Sequence, residues 1–208
     1  MKNIFKKFNL LIIALFLITS CSKSDAPVPV KPISYNEEDT PVSTLEQSLI
    51  GHSDFEDFIS ANGPALNFGF EFKSKVKGKI NSVSIKLGTV VINLQIFVFD
   101  ATTKEILGVG TLTTIINDKV SVNLTSPIII EKDKSYIVSA LINPLNVIKT
   151  RKRDLSDLVV FPYTNFGNIS ILNSRTRLTL DPNESFPNTD SKKVWYRTGL
   201  DFKFQQTE

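Results

Sequence analysis

From about residue 45 to the end of the chain, hydrophobic positions recur mostly at every second residue. Phe68, Phe70 and Phe72 alternate with Gly69 and Glu71. Val83, Ile85 and Leu87 alternate with Ser82, Ser84 and Lys86, and Ile92, Leu94, Ile96 and Val98 form the next run. Val120, Val122 and Leu124 follow, then Tyr136, Val138, Ala140 and Ile142. Ile169 to Leu180 reads as a long strand or a hairpin, and Leu200, Phe202 and Phe204 close the chain. Alternation rich in β-branched and aromatic residues marks half-buried strands. Turn signals separate the runs at Lys77-Gly78, Asp100 to Thr103, Asn117-Asp118 and Glu131 to Asp133. Spacings near ten residues mean hairpins and Greek-key connections. The pattern therefore predicts an all-β fold: an antiparallel two-sheet β-sandwich, jelly-roll or immunoglobulin-like, with little helix. One or two helical turns are expected at Ser53 to Ser60, with Ser53 as N-cap and Glu56 three residues on.

The first twenty residues break this pattern. Lys2, Lys6 and Lys7 precede an apolar run from Leu10 to Ile18, which ends at Thr19-Ser20 before Cys21. At about nine residues the run is well short of the ~20 needed to span a bilayer, and its layout is that of a secretory signal. Leu17-Ile18-Thr19-Ser20-Cys21 resembles the lipobox of bacterial lipoproteins. That resemblance implies cleavage before Cys21, a diacylglyceryl thioether on its sulfur and an acylated amine. Several acyl chains hold a protein stably to a membrane where one chain does not. Ser22 rather than Asp follows the cysteine, which by the same resemblance points to the outer membrane, with the periplasmic or outer side left open. Residues 22–44 hold Pro27, Pro29, Pro32 and Pro41 and the acidic step Glu37-Glu38-Asp39. In polyproline geometry such a tether reaches on the order of 70 Å; the competing reading packs part of it on the domain as an edge strand. Three parts follow: a signal peptide (1–20), an anchor and tether (21–44) and one β-sandwich domain (45–208).

Composition narrows the chemistry. The chain has 24 Lys and Arg against 21 Asp and Glu, and the leader holds three of the lysines, so the remainder is formally neutral. Nucleic-acid binding needs a basic surplus and is set aside. Cys21 is the only cysteine, which leaves no disulfide, no cysteine nucleophile and no Cys-based zinc site. His52 is the only histidine, and without a Gly-x-Ser-x-Gly elbow it reads as a solvent-facing residue of a turn. One histidine does not make a zinc site. Gly108-Val109-Gly110 lacks the third glycine of a dinucleotide loop and reads as a bulge or close backbone approach. Neither Asp54, Glu56 and Asp57 nor Asp181, Asn183, Glu184 and Asp190 has the spacing of a calcium loop. No catalytic motif, metal site or cofactor is expected. Arg151-Lys152-Arg153, in a polar insertion over 143–166, reads as a solvated loop or a contact for an anionic glycan or headgroup.

The last strand offers the candidate ligand site. Val194, Tyr196, Leu200, Phe202 and Phe204 share the core-facing parity, and Trp195, Arg197, Asp201 and Lys203 share the other. The only tryptophan then stands on a polar face beside Arg197, an arrangement suited to stacking on a sugar ring. A bulge at Gly199, or a loop over the indole, is the competing reading. Tyr163 and Phe166, with Asn165, extend the platform from the preceding insertion.

A second resemblance rests on the order of several pieces. They are Phe68-Gly69-Phe70-Glu71-Phe72, Val76-Lys77-Gly78-Lys79-Ile80, Phe97-Val98-Phe99-Asp100 before a turn, and Lys104 to Gly108. Leu124 to Pro127, Asp133-Lys134-Ser135-Tyr136 and the closing Leu200 to Phe204 complete the set. The order is similar to that of bacterial extracellular β-sandwich domains of unknown function, often found beside adhesion or glycan-binding modules. The resemblance implies fold and supplies no catalytic residue. The expected role is a lipid-anchored, non-catalytic envelope module that binds a glycan or another envelope component. The alternative is an adhesin or accessory subunit of an outer-membrane complex. In a Gram-negative host fed labelled palmitate, the full chain is expected to take up label and Cys21→Ser is expected to take up none. Equal labelling of both would remove the anchor.

Overall fold

The computed structural model describes residues 37–39, 55–59, 64–86, 91–114, 119–143, 147–151, 161–179, 185–191 and 199–208. They belong to one compact unit that begins at Tyr35, so Cys21 and the leader lie outside them. Among the described residues thirteen strands run in chain order: β1 (Glu37–Asp39), β2 (Phe55–Ile59), β3 (Ala65–Ser74), β4 (Gly78–Lys86), β5 (Val91–Asp100), β6 (Ile106–Thr114) and β7 (Lys119–Ile130). They continue with β8 (Ser135–Ile142), β9 (Val147–Arg151), β10 (Tyr163–Phe166), β11 (Ile169–Thr179), β12 (Thr189–Ser191) and β13 (Leu200–Gln206). The large sheet has the order β10-β11-β3-β8-β5-β6, with β12 also on β11; the small sheet has the order β1-β13-β4-β7. A separate ribbon pairs β2 with β9. All named pairings are antiparallel. The chain is an all-β sandwich with no helix among the described residues.

The predicted alternation builds the core between the sheets. Phe68, Phe70 and Phe72 of β3, Tyr136, Val138 and Ala140 of β8, and Leu94, Ile96 and Val98 of β5 come from the large sheet. Ile80, Val83 and Ile85 of β4, Val122 and Leu124 of β7, and Leu200, Phe202 and Phe204 of β13 meet them from the small sheet. The sheets are joined by aromatic rings: Phe72 lies 4.6 Å from Phe202 and 5.8 Å from Tyr136 between centroids, and Phe70 lies 6.1 Å from Phe202. Aromatic pairs at such distances add about 0.5–1.5 kcal/mol beyond their burial.

Three expectations change. Glu37–Asp39, expected in the tether, form an edge strand on β13, with Glu38 opposite Phe204. Ser53 to Ser60, expected to be helical, contributes β2, which pairs Phe55 to Arg151 and Ile59 to Val147. Two helical turns are too short to hold without packing, whereas a strand opposite β9 has its backbone groups paired. The 143–166 insertion accordingly carries β9 and β10 rather than being one polar loop. At Gly108 and Gly110 the expected close approach is present: an added Cβ would come within 2.5 Å of Ile128 Cδ1 and 2.6 Å of Val122 Cγ1. The two glycines let edge strand β6 of one sheet close on edge strand β7 of the other.

The turns at one end are tied by Asp100. Its Oδ1 accepts the amides of Thr102 at 2.8 Å and Thr103 at 3.0 Å, and its Oδ2 accepts Lys134 Nζ at 2.6 Å. This one carboxylate joins the β5–β6 turn to the β7–β8 turn. Burial alone would push the Asp100 pKa up; the Lys134 ammonium and the Thr103 and Thr102 amides outweigh it and hold it below its ordinary value. A depressed aspartate stabilises the fold fully above its unfolded pKa, and that stability is lost as pH falls through the folded pKa. Denaturant titration is therefore expected to show stability falling below about pH 4, and Asp100→Asn to lower neutral-pH stability by about 2 kcal/mol and flatten the acid limb. An unchanged acid limb would assign it to other carboxylates.

Candidate functional site

Strand β8 lies between β3 and β5 and is buried on both faces, so the large sheet has a second, outward-facing core. Ile137 and Leu141 of β8 join Phe97 and Phe99 of β5 there, with Ala65, Ala101, Val109 and Phe186 packed against them. Phe97 and Phe99 stack at 5.5 Å, and Phe186 meets Phe99 edge-on at 5.3 Å. Phe186 belongs to a strap, Ser185–Pro187, in which Ser185 and Pro187 are buried. Lys104 Nζ stands 5.5 Å from the Phe186 ring centroid. The Asn67 side-chain amide donates to the Ser185 carbonyl, which ties the strap to β3.

A polar seam crosses this outer face. Residues sharing it with Asn67 on β3 are Gly69 and Glu71, and the register sets Gly69 between Arg175 of β11 and Ser139 of β8. Arg175 donates through Nε at 3.0 Å, and again through Nη2, to Glu71 Oε2. The pair is mostly buried, with side chains 19% and 10% exposed. The Asn173 amide lies 3.3 Å from Glu71 and 3.3 Å from Asp190, and its NH2 serves one carboxylate at a time. On the β8 side of Gly69 the seam is uncharged. Asn67 and Ser139 are fully buried, yet Asn67 Oδ1 and Ser139 Oγ have no hydrogen-bond partner. Leaving such an atom unpaired in the interior costs about 1–3 kcal/mol.

The expected ligand residues are described only in part. Trp195, Arg197 and His52 lie outside the described residues. Asp201 was expected to face solvent, but it is only 3% exposed. Its Oδ2 accepts Lys119 Nζ at 3.1 Å and its Oδ1 accepts the Phe202 amide at 3.0 Å, so the carboxylate is engaged within the small sheet. Lys203, of the same parity, is exposed as expected. Tyr163 is on the large sheet, not beside Asp201, and its ring packs against the core between the sheets. Phe166 pairs with Ile169 at the β10–β11 turn, and its side chain is not among those described. Arg151 pairs with Phe55, while Lys152 and Arg153 lie outside the described residues. So do Asp54, Asp181, Asn183 and Glu184; Asp190 is exposed on β12, opposite Arg175. Among the described residues no three His, Cys, Asp or Glu side chains gather to hold a metal ion, and no helix is long and apolar enough to cross a membrane.

No family model matches the chain, and no curated protein matches it. The seam residues Asn67, Glu71, Ser139 and Arg175 are not singled out by alternation, which assigns them to solvent. A signal was present on β8, where Ile137 and Leu141 make both parities apolar and so imply cover on both faces. Gly69 is the seam's most constrained position: an added Cβ would lie 1.9 Å from the Val138 carbonyl oxygen and 2.6 Å from Ser139 Cα. Backbone cannot give way as a side chain tip can. Gly69→Ala is expected to cost about 2–3 kcal/mol, seen as a melting temperature lower by about 5–10 °C. An unchanged melting temperature would mean that β3 and β8 do not approach this closely.

Proposed function

We propose that the protein is a non-catalytic binding module of the cell envelope, held to the outer membrane through lipid on Cys21, and that its ligand is a glycan. The observation that carries this reading is the outer face of the large sheet. There a guanidinium, a carboxylate and a primary amide (Arg175, Glu71 and Asn173) stand on the same face as three phenylalanines. Sugars present hydroxyls to such planar hydrogen-bonding groups and apolar C–H faces to aromatic rings. Glu71 is turned to Arg175, which engages its carboxylate.

One observation favours a structural subunit instead. Ile106 and Leu107 at the start of edge strand β6 are 50% and 36% exposed, and apolar side chains on a sheet edge suit a protein neighbour. A single experiment separates the two readings. The full chain, purified in detergent at native expression level, is applied to a glycan array and in parallel examined for a stoichiometric envelope partner. The glycan reading expects saturable binding that Arg175→Gln weakens about tenfold or more, with melting monitored alongside. No glycan binding together with a one-to-one protein partner would transfer the function to the second reading.

A further inference from the structure

We infer that Asn67 and Ser139 form the floor of a ligand notch on the outer face of the large sheet, closed here by the Ser185–Pro187 strap, and that it takes a neutral, hydroxyl-bearing sugar ring. The inference rests on the glycan reading and gives it a place and a chemical class. Its basis is the pair of orphaned atoms. Asn67 Oδ1 and Ser139 Oγ are fully buried and unpartnered, and they belong to neighbouring positions of one face. Asn67 is opposite Leu141 and Ser139 is opposite Gly69, so the two side chains are diagonal neighbours across β3 and β8. Their surroundings are Ile137, Leu141, Phe97 and Phe99, where alanine or valine would pack without an unpaired hydroxyl. Buried polar atoms are nearly always satisfied, so two adjacent exceptions ask for a group that is absent.

The chemistry of the floor selects the group. Asn67 Oδ1 accepts, and Ser139 Oγ accepts or donates. A hydroxyl satisfies either atom. A phosphate or carboxylate would set oxygen against the Asn67 oxygen; the Arg175 guanidinium is already committed to Glu71, and Arg177, opposite Asn67, is likewise engaged elsewhere. When the strap lifts, the Ser185 carbonyl leaves Asn67 Nδ2 as well. The amide then offers a donor and an acceptor side by side, which matches two adjacent hydroxyls of a pyranose. Phe97 and Phe99 supply the apolar surface beside it. Contacts on the strap include the Asn67 hydrogen bond, the Phe186–Phe99 ring pair and the Lys104 ammonium over Phe186, and the strap leads into β12 on β11. None is covalent, and opening exposes the floor and the rings together.

The test uses the isotope-labelled full chain in detergent and follows the Asn67 side-chain NH2 and Ser139 backbone resonances. Maltose, N,N′-diacetylchitobiose and methyl β-galactoside are the neutral probes; glucuronate and glucose 1-phosphate are the anionic ones. A neutral probe is expected to move both resonances saturably. Lys104→Gln loosens the strap and is expected to tighten apparent binding several-fold, because less of the population is closed; Phe186→Ala serves as a second strap variant should the first fold poorly. Ser139→Ala is expected to leave the melting temperature level or higher while weakening binding about tenfold. Silence of both resonances with every neutral probe, in the wild type and in Lys104→Gln, would mean that the notch holds a bridging water only. Preference for an anionic probe would overturn the ligand class. Glycan binding that moves other resonances and ignores Ser139→Ala would overturn the notch and leave the glycan reading standing. Absence of all glycan binding would remove both.

Discussion

The fold depends on the contact of Phe72 with Phe202. The first ring comes from the large sheet and the second from the last strand of the chain, and their centroids are 4.6 Å apart. Tyr136 stacks on the far side of Phe72 and sends its hydroxyl to accept the amide of Glu131. One aromatic column thus links β13, β3 and β8 and fixes the turn before β8. Because β13 lies far along the chain from β4, the small sheet forms only once both strands are present. The long-range pairing of β4 with β13 requires a loop of more than a hundred residues to close first. Such a topology belongs to the slow-folding end of single domains.

Once that column is set, the face of the large sheet turned away from the small sheet is a consequence of strand parity. Every residue that alternates with the inner Phe68, Phe70 and Phe72 must point outward. Those residues are Asn67, Gly69 and Glu71 on β3, and Ile137, Ser139 and Leu141 on β8. Ile137 and Leu141 are apolar and need cover, which the Ser185–Pro187 strap provides in part through Phe186. The same cover draws polar neighbours out of water. Arg175 and Glu71 answer by pairing with each other, whereas Asn67 and Ser139 keep one unpaired atom each.

Alternation made the inner core legible residue by residue: Phe68 through Phe72, Val83, Ile85 and Leu200 through Phe204 are all where a period of two places them. Asp100 is legible as a turn residue, because a short acid before Ala101-Thr102-Thr103 is a local signal. The outer face was not legible, since period two assigns one face to the core and says nothing of what covers the other. Asp201 shows the limit most plainly. Its parity is the outward one, yet Lys119 from a strand two places away in the sheet meets it, and that pairing depends on register rather than on sequence neighbours. β2 was misread for a related reason: a five-residue segment takes its conformation from its partner, β9, which lies some ninety residues on.

The pairing of β1 with β13 has a mechanical consequence. A pull on the chain from its N-terminal side meets β1, and there the described residues hold three pairs with β13. So short an edge strand peels before the long ladders of β3, β4 and β8 carry any load. Peeling pays out about 10 Å of chain at the ~3.4 Å rise of an antiparallel strand. β13 remains paired to β4 throughout, so the aromatic column stays shut while the slack is taken up. Under tension from that side β1 would act as a spring clip, yielding first and sparing the sandwich behind it.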